Sequence, residues 1–224
     1  YGDWVQEVDW SVGQVLAAIR DLKLADNTLV IFTSDNGGAM RHGASNGPLR
    51  GQKGQTLEGG IRVPTIAWWP TQVPEGTSAA EITSMMDFLP TFVHLAGGKV
   101  PAERKIDGVD IWPVLAGTAG KAPPRENFYY FRGLQLQAVR SGPWKLHLAG
   151  GQLYHLGEDI GEAKNVAAEN PAVVKELQQL VAAMDSDLGV EGEGPGVRPL
   201  GRVTDPQPLI GRDGTIRAGF APQK

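Results

Sequence analysis

Cysteine is missing from all 224 positions, which excludes disulfides, thiolate metal sites and a cysteine nucleophile together. That absence leaves the compartment open, because a chain of this length can bury a sizeable apolar core without bridges. No excess of basic charge is present either: 21 Lys and Arg stand against 25 Asp and Glu, for a formal net charge of -4. Nothing in this balance provides the basic footprint of a nucleic-acid binder, so no nucleic-acid partner is expected. No apolar run approaches the roughly 18 residues that a membrane span needs. The longest, over 28–33 and 63–69, are strand-sized, so no membrane span is expected. A basic, apolar leader is also lacking. The first residue is Tyr1, and residues 1–20 are acidic and helix-patterned, so an internal position in a longer protein is expected, with any targeting signal upstream.

What is present is strongly patterned. Val5, Val8, Val12, Val15, Leu16, Ile19 and Leu22 recur at three-and-four spacing, which predicts an amphipathic helix over 4–22. The run Thr28-Leu29-Val30-Ile31-Phe32-Thr33 stops at Ser34-Asp35-Asn36-Gly37-Gly38 and reads as a strand buried on both faces. Helix followed by buried strand points to the α/β class. Residues 39–60 lack apolar period and read as a long, structureless loop of the kind that carries function, before a second strand over 63–69. A helix over 84–95 follows, with Ser84 and Asp87 at capping-box spacing, Pro90 in its first turn and Gly97-Gly98 as its stop.

A Pro-rich hinge at 122–125 precedes four short segments, 128–132, 136–140, 144–148 and 153–156, separated by turn residues; these predict a small antiparallel sheet. The last helix is the most clearly marked. Asn170 stands as N-cap, Pro171 at the first helical position, Val173, Val174, Leu177, Leu180, Val181, Met184 and Leu188 on the apolar stripe, and Gly189 past the end. The expected organisation is an α/β portion over 1–121, a small α+β subdomain over 122–189, and an extended Gly- and Pro-rich tail over 190–224.

Asp35 and Asn36 fall just past the carboxyl end of a strand, where open α/β sheets place their ligand sites. Side by side, a carboxylate and an amide are hard oxygen donors suited to Ca²⁺, with Mg²⁺ the weaker candidate. The same Asp-Asn-Gly-Gly also suits a simple turn. The loop beyond carries Arg41, His42, Arg50, Lys53 and Arg62. Each alone suits a solvated surface charge, whereas the cluster beside a metal site suits an anionic substrate. Glu58 stands four residues before Arg62 and is placed to pair with it structurally.

The ordered segments 27–37, Pro48-Leu49-Arg50-Gly51-Gln52-Lys53-Gly54, Glu58-Gly59-Gly60-Ile61-Arg62-Val63-Pro64, Asp87-Phe88-Leu89-Pro90-Thr91, Leu95-Ala96-Gly97, Asp107-Gly108-Val109-Asp110, 139–146 and Leu153-Tyr154-His155-Leu156 resemble the second half of the sulfatase family, across most of residues 1–189. The resemblance implies an alkaline-phosphatase-like architecture: a mixed-sheet α/β domain followed by a small domain of antiparallel strands and a helix. It implies that Asp35 and Asn36 are two calcium ligands, that Lys53 is the catalytic lysine binding the sulfate group, and that His42 contacts substrate. The implied partner is a sulfated small molecule or glycan, and the implied setting is periplasmic or secreted.

The family's nucleophile is a formylglycine made from the first residue of a Cys- or Ser-x-Pro- or Ala-x-Arg motif. No such motif occurs here. The nearest imitation, Ser141-Gly142-Pro143-Trp144-Lys145, ends in Lys and reads as structural. By resemblance the expected activity is therefore sulfate-ester hydrolysis by a longer parent, with the present residues inactive alone. The alternatives are a phosphate or phosphonate ester hydrolase of the same superfamily and a non-catalytic binding module on the same scaffold.

Overall fold

The computed structural model describes residues 1–103, 105–120, 123–190, 194, 196, 210–211 and 213–218. The chain divides into two compact units, Tyr1–Ala183 and Met184–Lys224. In the first, helix α1 spans Gly2–Asp21 and ends at Leu22, whose N–H donates to Ala18 C=O, while Lys23 N–H donates to Arg20 C=O. Its apolar stripe forms as the spacing predicts, but none of its side chains is buried, and Trp4 is 80% exposed.

Strand β1 (Val30–Thr33) pairs antiparallel with β2 (Thr65–Trp68), in register Val30↔Trp68 to Thr33↔Thr65. The expectation that β1 is buried on both faces does not hold. Three of its residues are half-buried and Phe32 is exposed, because the pair stands as a two-stranded sheet with no further strand to cover it among the described residues. The segment between β1 and β2 is also not structureless. It contains a helical turn at Met40–His42 and the short helix α2 at Glu58–Ile61.

Helix α3 (Phe88–Leu95) follows a turn in which the Ser84–Asp87 capping box is formed in both directions. Asp87 is wholly buried. Its carboxylate accepts from the N–H groups of Ser84 and Val109 at 2.7 and 2.9 Å, and from the Arg125 guanidinium. Thr91 donates to the Asp87 carbonyl and accepts from Ile111 N–H, tying α3 to the start of helix α4 (Trp112–Leu115).

Strands β3 (Asn127–Arg132), β4 (Gln135–Ser141), β5 (Trp144–His147) and β6 (Gln152–His155) form an antiparallel meander in that order. The β3–β4 and β4–β5 connections are two-residue turns that open on Gly133 and Gly142, with φ of +58° and +53°; only glycine takes that position without strain. One face of the sheet, through Val139, Leu146 and Leu153, packs on Leu177 of helix α5 (Pro171–Leu188). Asn170 precedes Pro171 as expected, its carbonyl accepting the first intrahelical bond from Val174.

In the second unit α5 ends at Leu188, Gly189 adopts φ +67°, and Ile210 bridges to Ile216. Most of the expected tail over 190–224 lies outside the described residues. Among the described residues no helix is long and apolar enough to cross a membrane.

Candidate functional site

The turn after β1 and the loop carrying Lys53 are joined by backbone. Gly37 N–H donates to Gly60 C=O at 3.0 Å, and Lys53 N–H donates to Gly38 C=O at 3.2 Å. Asn46 bridges the two: its Oδ1 accepts from Gly38 N–H at 2.8 Å, and its Nδ2 donates to the carbonyls of Gly38 and Gly51. The crossing leaves no room for side chains, since a Cβ on Gly37 would lie 1.9 Å from the Gly59 carbonyl oxygen. Asp35 and Lys53 are exposed, and Asn36 is half-buried. Thus two segments that the sequence separates by more than a dozen residues meet at one surface.

Asp35 and Asn36 offer a carboxylate and an amide oxygen that fit calcium by chemistry, but calcium takes about six to eight oxygens. Among the described residues no group of three or more His, Cys, Asp or Glu could hold a metal ion. The pair therefore fits part of a calcium shell. His42 stands apart from this junction: its Nε2 accepts from Arg41 Nε at 3.0 Å, and no hydrogen bond joins it to Asp35, Asn36 or Lys53 among the described residues.

Thr56 and Glu58, shortly after Lys53 in the chain, enter a buried ionic cluster that sequence reasoning did not find. Lys145 Nζ sits 2.8 Å from Glu58 Oε1 and 3.1 Å from Glu162 Oε1, and donates to Thr56 C=O at 2.7 Å. Glu162 Oε2 accepts from Glu58 N–H at 2.7 Å, and its Oε1 pairs with His147 Nε2 at 2.6 Å. Tyr130 OH reaches Glu58 Oε1 at 3.4 Å, and the Lys145 ammonium lies 4.3 Å from its ring centroid.

Burial opposes ionisation of Glu162, but the His147 bond and the Lys145 charge outweigh it and hold its carboxyl below the ordinary value. Burial, then the Glu58 charge, pushes the Tyr130 hydroxyl well up. The expected Glu58–Arg62 pair is present at 3.8 Å with Arg62 half-exposed; Lys145 is the nearer partner. The Ser141–Lys145 stretch is a hairpin turn leading into a buried lysine. The sequence held no signal for this burial: Lys145 alternates with Trp144 and Leu146 as a lysine on a solvent-facing side of a sheet would, and only the fold shows it buried.

The family description "Sulfatase" matches residues 1–98, and "N-sulphoglucosamine sulphohydrolase, C-terminal" matches residues 52–187. N-acetylgalactosamine-6-sulfatase of Canis lupus familiaris is 46% identical over 151 residues, covering 66% of this chain and 28% of that protein. Steryl-sulfatase of Mus musculus is 46% identical over 157 residues, covering 65% of this chain and 25% of that protein. The crystal structure of Ps i-CgsB superposes with a TM-score of 0.72 at 34% identity, over 79% of this chain and 40% of that one. The chain thus spans little more than a quarter of the length of the curated relatives.

Proposed function

We propose, on the premise that this chain belongs to the sulfatase family, as its matches over 1–98 and 52–187 establish, that it supplies the sulfate-binding lysine and two metal ligands of a sulfate-ester hydrolase. The observation that carries this reading is the Lys53 N–H to Gly38 C=O bond of 3.2 Å, which ties the lysine to the turn bearing Asp35 and Asn36. In this role the Lys53 ammonium is a compact point charge that donates to a sulfate oxygen and stabilises charge as the ester bond breaks. Asp35 and Asn36 hold the cation through hard oxygens, and calcium bound there would polarise further sulfate oxygens.

Metal and formylglycine use are general to the family, and the present sequence contains no formylglycine motif. No residue here is assigned the nucleophile, and the 224 residues alone are expected to release no sulfate. The boundary between 1–121 and 122–189 is proposed as the division between the catalytic portion and the small subdomain. Sulfated small molecules or glycans are the proposed substrates, supported by the sugar- and steryl-sulfatase names of the relatives. His42 is retained as a substrate contact only in a secondary role, since Arg41 holds its ring in the free chain.

Sulfate release by the full product of the reading frame encoding these residues tests the reading. Lys53→Ala is expected to lower turnover about 100-fold while the fold persists; undiminished turnover removes Lys53 from the site.

A further inference from the structure

The segment carrying Lys53 is gripped on both sides by the four-stranded sheet. Before Lys53, Arg50 Nη2 donates to Tyr154 OH at 3.3 Å, and its guanidinium lies 5.3 Å from the centroid of the same ring. After Lys53, Thr56 Oγ1 donates to Gln137 Oε1 at 3.2 Å. Gln137 is the residue left over where the β3–β4 register shifts between Tyr130 and Phe131, and such bulges re-aim a side chain out of the pleat. Lys145 then takes the Thr56 carbonyl and the Glu58 carboxylate, and Glu162 takes the Glu58 N–H. Between these anchors, Lys53 sits in an exposed turn closed by Gln55 N–H to Gln52 C=O at 3.0 Å.

The residues on this side of the sheet do not follow the logic of a plain core. Apolar side chains of similar volume would hold the two parts together as well as buried ions do, because desolvation offsets much of the Coulomb gain. What ions and backbone-directed bonds add is direction. An N–H to carboxylate bond and an ammonium to carbonyl bond together fix the path of residues 56–58, and the Arg50–Tyr154 contact fixes the other end.

We infer that the small sheet, with the loop that follows β6, is a clamp that sets where the Lys53 ammonium stands, with Tyr154 holding the segment before it and Lys145 and the loop residue Glu162 the segment after it, as positioning residues for sulfate-ester hydrolysis. The catalytic part of this inference rests on the role proposed for Lys53; the mechanical coupling does not.

Hydrogen exchange in the 224-residue chain tests the coupling without any activity. The amides of Lys53, Gln55, Gly59 and Gly60 are all hydrogen-bonded. In Glu162→Gln they are expected to exchange about tenfold faster, with the β4–β5 ladder amides unchanged. Tyr154→Phe keeps the ring and loses only the hydroxyl; it reads the same amides should Glu162→Gln not fold, and is expected to speed exchange at Lys53 above all. Unchanged loop exchange, or equal acceleration of loop and ladder, overturns the clamp. In the full gene product, Glu162→Gln is expected to lower kcat per folded molecule about tenfold, which a merely structural role would leave intact. If the wild-type product hydrolyses no sulfate ester, the sulfatase reading fails while the exchange result still decides the coupling.

Discussion

Lys145 Nζ lies 2.8 Å from Glu58 Oε1, 87 positions away in the chain, with both side chains essentially closed to solvent. The pair joins the small sheet to the short helix that follows the Lys53 turn, so its loss separates stability from chemistry in a measurable way. Glu58→Ala leaves a buried ammonium with one carboxylate in place of two and is expected to lower the unfolding free energy by about 3–5 kcal/mol. Lys53→Ala, at an exposed turn, is expected to change it by less than about 0.5 kcal/mol. Denaturant unfolding of the two variants in parallel checks both, and a Lys53→Ala loss as large as that of Glu58→Ala would assign Lys53 to the fold.

Acid should weaken the same cluster. The Glu162 carboxyl sits below its ordinary value of 4.5 because the His147 bond and the Lys145 charge outweigh the burial that opposes them. The unfolded chain therefore takes up this proton at a higher pH than the folded one. The stabilisation is complete above 4.5 and is lost as pH falls through the lower, folded value. Unfolding free energy measured from neutral pH downward is expected to fall through this window in the wild type and to fall less steeply in Glu162→Gln; parallel slopes would contradict the assignment.

The Asp87 carboxylate gathers the Ser84 and Val109 N–H groups and the Arg125 guanidinium in a fully buried position. Asp87→Ala is expected to cost about 3–5 kcal/mol, since it strands Arg125 and opens the capping box at once. Calorimetric melting checks this, and a shift no larger than that of an exposed substitution would refute it.

These expectations drew unequally on the sequence. Helix α5 was legible from its Pro171 start and Gly189 stop, and the capping box from Ser84 and Asp87, because caps and apolar spacing are local. Asp35, Asn36 and Lys53 were legible as candidates through the ordered resemblance; the structure adds that the segments carrying them are joined by backbone bonds. The burial of β1 was misread because a β-branched run reports side-chain type and says nothing of what lies alongside it. The order of residues 39–60 was hidden because the Asn46 side chain bonding to backbone and the Gly37–Gly60 backbone bond are contacts that no periodicity records. The burial of Lys145 was hidden because its alternation with Trp144 and Leu146 matches an exposed strand lysine, and its carboxylates come from distant segments that folding alone brings together.

Calcium binding separates the two donors from a plain turn. Titration of the full gene product with Ca²⁺ is expected to weaken at least about tenfold in Asp35→Ala, with Asn36→Ala in the same direction; equal affinity in both variants would leave Asp-Asn-Gly-Gly as a turn.

The most direct measurement is a crystal structure of the full gene product with calcium and inorganic sulfate. The account predicts Lys53 Nζ about 2.7–3.2 Å from a sulfate oxygen, and oxygens of Asp35 and Asn36 about 2.3–2.6 Å from the calcium that the same sulfate touches. Sulfate bound elsewhere, with Lys53 in solvent and no cation at Asp35, would contradict it.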